Sequence, residues 1–308
     1  MITVVSLNPS YDWQYSVPNF AYGGLNRVAC TRKDIGGKGI NVCVALNNLG
    51  LNPLCTGFNF NENGDFLTSQ LDNLNVKHDF INVNGAVRVN IKLYEGSSNT
   101  MTELNQQGSL VTGADIDSLC LKIEAHSHEN NTLVLSGSRP QGVGANFYAQ
   151  LCKTWKGKVF LDTDGEALKT ALKTAAPYAI KPNLFELEST FDVKLKTPKD
   201  IATFCKENII TNGVSIVCVS MGSDGAVLVT INGAWFCPAL KLETKGVQGA
   251  GDSMVAGLLY ALYNRLPENE YLSSAMAAAS ASVILDGTAM CGLNDFNKMF
   301  GKFAPKML

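Results

Sequence analysis

Apolar residues along this chain fall into short dense runs, and between several of those runs they recur with helical spacing. The runs at Ile2–Leu7, Leu54–Phe58, Thr132–Ser136, Lys158–Asp162, Tyr178–Lys181, Ser215–Ser220 and Ala226–Ile231 predict strands. Val42, Ala45, Leu46 and Leu49 stand at offsets 0, 3, 4 and 7, and Gly50 follows where a helix would end. Val255, Leu258, Leu259 and Leu262 repeat that spacing. Strands alternating with helices predict an α/β fold: a central, mainly parallel sheet in three layers, with helices on both faces. Ligands of such folds sit outside the carboxyl ends of the strands.

Two excursions, about 11–34 and 84–107, break the alternation. Both are polar and aromatic and lack helical period; Val87–Tyr94 is their clearest strand. They read as one small β-sheet forming a lid over the site, or as two surface loops with hairpins. No internal repeat, low-complexity tract or linker is present, so a single domain spanning 1–308 is expected.

Composition narrows the classes. Hydrophobic residues make up 46% and charged ones 17%, which excludes disorder, and a formal charge of −2 lacks the basic excess of a nucleic-acid binder. The nine cysteines occur singly, without a CxxC pair. Cys30, Cys43, Cys55, Cys205 and Cys218 lie in or beside apolar runs, which predicts buried free thiols and a cytoplasmic location. His78, His126 and His128 show no zinc-ligand spacing. The start, MITVVSLNP, has no signal-peptide pattern, and the apolar stretches around 254–263 and 275–285 are too short to cross a membrane.

The chemistry concentrates near the C-terminus. Val247–Ser253 reads VQGAGDS and leads into the second helical pattern. Gly249 and Gly251 permit a tight turn whose amides, with the positive end of the helix dipole, form an anion site. Asp252 sits in the first turn beside that site. Read alone, it is a helix cap; beside an anion, a carboxylate makes sense when it handles a proton.

Further segments change the balance. IGGKGINVCVALNNLG (35–50) and QGAGDSMVAGLLYAL (248–262) resemble the paired signatures of the ribokinase-like sugar kinases, the PfkB group. LNPSYD (7–12), SGSRPQGV (136–143), KPNLFELE (181–188) and VSMGSDGAVLV (219–229) stand between them in the family's order. The resemblance covers essentially the whole chain. It implies ATP as phosphoryl donor, Mg²⁺, Asp252 as general base, and the amides of Gly249, Ala250 and Gly251 as donors to the moving phosphoryl group.

The same resemblance assigns Lys181 and Asn183 to the nucleotide phosphates, and Ser220, Gly222 and Gly225 to the nucleotide-facing turn. It assigns Glu186, three residues beyond Asn183, to the magnesium through water. Read alone, NxxE is a helix-start capping pair and the glycine turn is a hairpin. At the sugar end it implicates Asp12, Gly36, Gly37, Asn41, Asn90, Asn105, Ser136 and Gly137.

Lys38 in GGKG resembles the version found in family members that act on phosphorylated sugars. With Arg27 and Arg88 inside the lid excursions, it predicts three cations converging on a substrate phosphate; the alternative is ordinary exposed charge. The closest likeness is to the branch acting on D-fructose 1-phosphate at its 6-hydroxyl, with D-tagatose 6-phosphate next and a non-catalytic sugar-phosphate- or nucleotide-binding regulator as a different class. A nicotinamide dehydrogenase is disfavoured, because no GxGxxG follows the first strand. The resemblance also implies a homodimer through the lid. Two positions depart from the branch: Arg139 and Gln248 each stand where an apolar residue is usual.

Overall fold

The computed structural model describes residues 1–246 and 248–308. The chain opens with β1 (Ile2–Ser6), β2 (Ser10–Val17), β3 (Cys30–Gly36), α1 (Lys38–Asn48), β4 (Leu54–Phe60), α2 (Asp65–Asn73) and β5 (Lys77–Val83). It continues through β6 (Arg88–Glu95), β7 (Thr100–Asn105), α3 (Gly113–Glu124), β8 (Thr132–Ser136), α4 (Phe147–Thr154), β9 (Lys158–Asp162) and α5 (Gly165–Thr174). Then come β10 (Ala179–Ile180), α6 (Leu184–Phe191), α7 (Pro198–Asn208), β11 (Ile216–Ser220), β12 (Ala226–Thr230) and β13 (Ala234–Cys237). The chain closes with α8 (Ala250–Tyr263), α9 (Glu268–Val283), α10 (Leu293–Phe300) and β14 (Lys306–Met307).

The main sheet has ten strands in the order β14-β13-β12-β11-β10-β9-β8-β1-β4-β5. From β5 to β11 every pairing is parallel, and β12, β13 and β14 add an antiparallel edge. Covered on both faces, the inner strands are continuously apolar: β1, β8, β9 and β12 are buried along nearly their whole length. All seven expected strands are present. Tyr178–Lys181 shrinks to Ala179–Ile180, because Pro182 has no N–H to carry the ladder onward. The strands not anticipated, β5, β13 and β14, pair toward the two edges, where polar residues interrupt the apolar run. Val42–Leu49 lies in and just beyond α1, and Gly50 follows with φ +82°.

Of the two readings of the excursions, the sheet is what forms: β3-β2-β6-β7, with β2 parallel to β6. Asp12 lies opposite Asn90, and Asn90 opposite Asn105, so one polar row crosses three strands. The alternate row, Trp13–Ile91–Leu104, is apolar and belongs to the other face. Four residues after leaving β1 at its carboxyl end the chain enters β2, and α1 begins two residues after β3 ends. The small sheet therefore hangs from the end of the main sheet where ligands bind. Cys30 proves exposed, because β3 is a lid edge strand with no body packed over that residue.

Candidate active site

Gly249 directly precedes helix α8; its φ of +74° only glycine adopts without strain, and an added Cβ there would lie 2.3 Å from Met290 Cε. Val247, first residue of the VQGAGDS segment, lies outside the described residues. Among the described residues no side chain caps α8. Asp252, only 5% exposed, instead accepts a hydrogen bond from Asn41 Nδ2 at 2.8 Å. Burial first, and then the charge of Asp162, push the Asp252 carboxyl up to about 6; Asn41, Lys38 and Lys181 oppose the rise.

Asp162 ends β9 and is fully buried among cations. Lys181 Nζ stands 3.4 Å and Lys38 Nζ 3.7 Å from its Oδ1, and Ser136 Oγ donates to Oδ2 at 2.9 Å. Burial works against ionisation here, but Lys181 and Lys38 outweigh it and hold the carboxyl below the usual range. Oδ1 itself completes no hydrogen bond among the described residues. Lys38 also donates to Glu186 Oε1 at 3.2 Å. The charge of Asp162 above all keeps Lys38 protonated, far above its ordinary value.

Glu186 and Asn183 form the capping box of α6: Asn183 N donates to Glu186 Oε2 at 2.8 Å, and Glu186 N to Asn183 Oδ1 at 2.7 Å. The capping reading of NxxE is thus correct, and it leaves Glu186 Oε1 facing the site.

At the sugar end, Asp12 Oδ1 accepts from Asn90 Nδ2 at 2.9 Å and from Ser10 Oγ at 3.1 Å. Lys92 Nζ, itself buried, donates to Oδ2 at 2.5 Å. Arg88 Nη1 donates to Asn90 Oδ1 at 3.0 Å. A Cβ on Gly36 would come within 2.8 Å of Asp12 Oδ2, so the backbone approaches the carboxylate because no side chain intervenes.

One cavity of ≈ 1200 Å³ joins these parts. It is lined by Asp12, Gly37, Lys38, Asn41, Arg88, Asn90 and Asn105 at one end. Lys181, Asn183, Glu186, Ser220, Gly222, Gly225, Gly249, Ala250, Gly251 and Asp252 line the remainder. Beyond the turn that follows Ser220, Ala239, Leu240, Leu242, Met276, Ala279 and Val283 give an apolar floor suited to a planar base. Gly36, Ser136 and Gly137 do not line the cavity; Ser136 donates to Asp162, and a Cβ added to Gly137 would lie 3.3 Å from Lys38 Cβ.

The expected convergence of Arg27, Lys38 and Arg88 does not occur within this chain. Arg27 is exposed on the loop between β2 and β3, where nothing in the core anchors it, and Lys38 is held by two carboxylates. Arg88 is instead joined by Arg139. A second cavity of ≈ 500 Å³ shares Arg88, is lined by Asn8, Ser138 and Arg139 as well, and has no carboxylate.

Two site residues escaped the sequence reading. Lys92 follows Asn90 by two in a strand, so period-two alternation already set both on one face. Asp162 closes a predicted strand at its carboxyl end, where ligand groups concentrate.

A buried carboxylate at a helix N-terminus, sharing one cavity with a second carboxylate, several cations and an apolar floor, suits a small-molecule phosphotransferase. The profile of the pfkB family carbohydrate kinases matches residues 1–294, and the chain belongs to that family. It is an enzyme that transfers a phosphoryl group to a sugar hydroxyl, and ATP with a divalent metal accompanies that chemistry. The chain is 32% identical to a 1-phosphofructokinase of Borreliella burgdorferi, over 97% of its own length and 96% of the relative's. It is 33% identical to a 1-phosphofructokinase of Bacillus subtilis over 92% of each. Phosphofructokinase-2 of Escherichia coli, solved with substrates and products, superposes with a TM-score of 0.92 at 26% identity and 98% coverage of each chain. A tetrameric inhibited form of that enzyme superposes at 0.90, with 26% identity and 98% coverage of each chain.

Proposed function

We propose that this enzyme transfers the γ-phosphoryl group of ATP to the 6-hydroxyl of D-fructose 1-phosphate, giving fructose 1,6-bisphosphate and ADP. The observation that carries the reading is a single cavity lined by both Asp252 and Arg88, with Arg88 also lining a second recess that has Arg139 and, among the described residues, no carboxylate. A sugar phosphate is anionic at the end away from the reacting hydroxyl, and paired guanidinium forks suit that group. The names of the similar 1-phosphofructokinases support the same substrate.

Asp252 is largely ionised at neutral pH and takes the proton as the hydroxyl oxygen bonds to phosphorus and the bond to ADP breaks. Asp12 is the acceptor for hydroxyls on the sugar. The amides of Gly249, Ala250 and Gly251 face the developing charge. Lys181, beside Gly251, and Lys38 add positive charge, and Asp162 holds both lysines. Among the described residues no three acidic, histidine or cysteine side chains cluster as a direct metal cage. Glu186 Oε1, which faces the cavity, instead fits Mg²⁺ held through its own waters, which would neutralise phosphate charge. The small sheet acts as a lid, and its outer face is the surface for pairing two copies. None of the helices among the described residues is long and apolar enough to cross a membrane, and the free cysteines suit the cytoplasm.

A coupled ADP-release assay with fructose 1-phosphate, fructose 6-phosphate and tagatose 6-phosphate tests the substrate. The expected order puts fructose 1-phosphate first in kcat/KM. A higher value for either 6-phosphate rejects it.

A further inference from the structure

Below the row that presents Asp12 and Asn90, a second row on the same face of the small sheet reaches the catalytic loop. Lys92 on β6 and Glu103 on β7 are cross-strand partners, and Gln14 on β2 lies opposite Lys92. Gln248, one residue before the glycine that begins α8, spans the pair. Its Oε1 accepts from Lys92 Nζ, and its Nε2 donates to Glu103 Oε1 at 2.5 Å. Lys92 also donates to Asp12 Oδ2 at 2.5 Å.

We propose that Gln248 is a positioning residue: a clasp that ties the lid to the phosphate loop, so that Asp12 and the 249–251 amides are assembled before the sugar arrives. The chemistry of the side chain fits the task. A buried ammonium needs acceptors, Asp12 supplies one, and a neutral amide oxygen supplies another without adding charge beside the phosphates. The other end of the same amide satisfies a carboxylate. An apolar residue at 248, as the related motif usually has, would do neither. Beyond its ladder with β6 the strand being held has little packing, since all six residues of β7 are exposed. Covalent continuity completes the line from Asp12 through Lys92 and Gln248 to the Gly249 amide.

A lid that is closed less often lowers apparent affinity in proportion to the closed fraction. Gln248→Val should therefore raise KM for the sugar phosphate about 5- to 20-fold while kcat falls less than about threefold. Without any substrate, amide exchange over residues 88–105 should quicken. Glu103→Ala, on an exposed strand that tolerates the change, should reproduce both effects more weakly. Gln248→Glu should set two carboxylates against each other and open the clasp, and adding Glu103→Gln should restore it. Unchanged KM and unchanged exchange in both Gln248→Val and Glu103→Ala overturn the proposal. So does a loss confined to kcat, which would mean that position 248 acts on the loop alone. The kinetic arm rests on the substrate reading above. If fructose 1-phosphate were not turned over, that reading would fail and the exchange experiment would still decide the clasp.

Discussion

Asp252 has two properties that a helix cap lacks. Its carboxylate is satisfied by the side chain of Asn41, and it is buried beside the second carboxylate, Asp162. Its proton affinity then sets a pH dependence. The free enzyme needs the ionised base, so kcat/KM should rise with pH through an apparent value near 6. The Asp252→Asn variant should lose that limb, retain substrate binding, and lose at least about 100-fold in kcat. Activity within threefold of wild type would remove Asp252 as the base. Stability should move oppositely. Because the folded-state value lies above the ordinary one, the native state holds the proton more tightly. That contribution is full below the ordinary carboxylate range and lost as pH rises through about 6. At pH 8 the ionised group is therefore a cost, and thermal melts should show Asp252→Asn gaining stability there, with the gain shrinking toward pH 4. Asp252 could be picked out from sequence because its glycine neighbours are local, whereas its raised pKa was invisible because it comes first from burial in the folded protein and then from Asp162, ninety residues away along the chain.

Helix α6 carries one motif whose two carboxylate oxygens face different ways. The capping box uses Glu186 Oε2 and Asn183 Oδ1, and Glu186 Oε1 turns to Lys38 and the cavity. A glutamine at 186 still completes a capping box, so Glu186→Gln should leave the melting temperature nearly unchanged. The half-saturating Mg²⁺ concentration should rise about tenfold, as outer-shell substitutions do. A large drop in melting temperature with normal Mg²⁺ dependence would mean that the box is structural only. The local NxxE spacing showed the cap, but only α1, arriving from the other side of the cavity, decides what the second oxygen meets.

Across the whole molecule, the lid presents more apolar surface than one chain covers. Tyr22 is 98%, Leu25 80% and Leu104 61% exposed, and Leu104 continues the apolar row from Trp13 and Ile91. A second copy of the same face is the partner such a surface suits. Sedimentation of wild type should show a dimer, and Leu104→Lys with Leu25→Glu should weaken it at least about tenfold. A wild-type monomer at micromolar concentration would count against the lid as the pairing surface. Arg27 lies on the same exposed loop as Leu25, which is why it is missing from this chain's own cavity.

The sequence by itself determined the alternation of strands and helices, the glycine turn at 249–251, the place of Asp252 in the first turn of a helix, and the glycine pair at 36 and 37. Those features are local: periodicity and short motifs are written in consecutive residues. Only the tertiary structure decided which charges meet. It assigned Lys38 to Glu186 and Asp162, left Arg27 outside, brought Arg139 to Arg88, and set Lys92 and Gln248 between lid and loop. Each of those pairings spans dozens of residues of chain, and pairing at that range is settled by how the sheets pack.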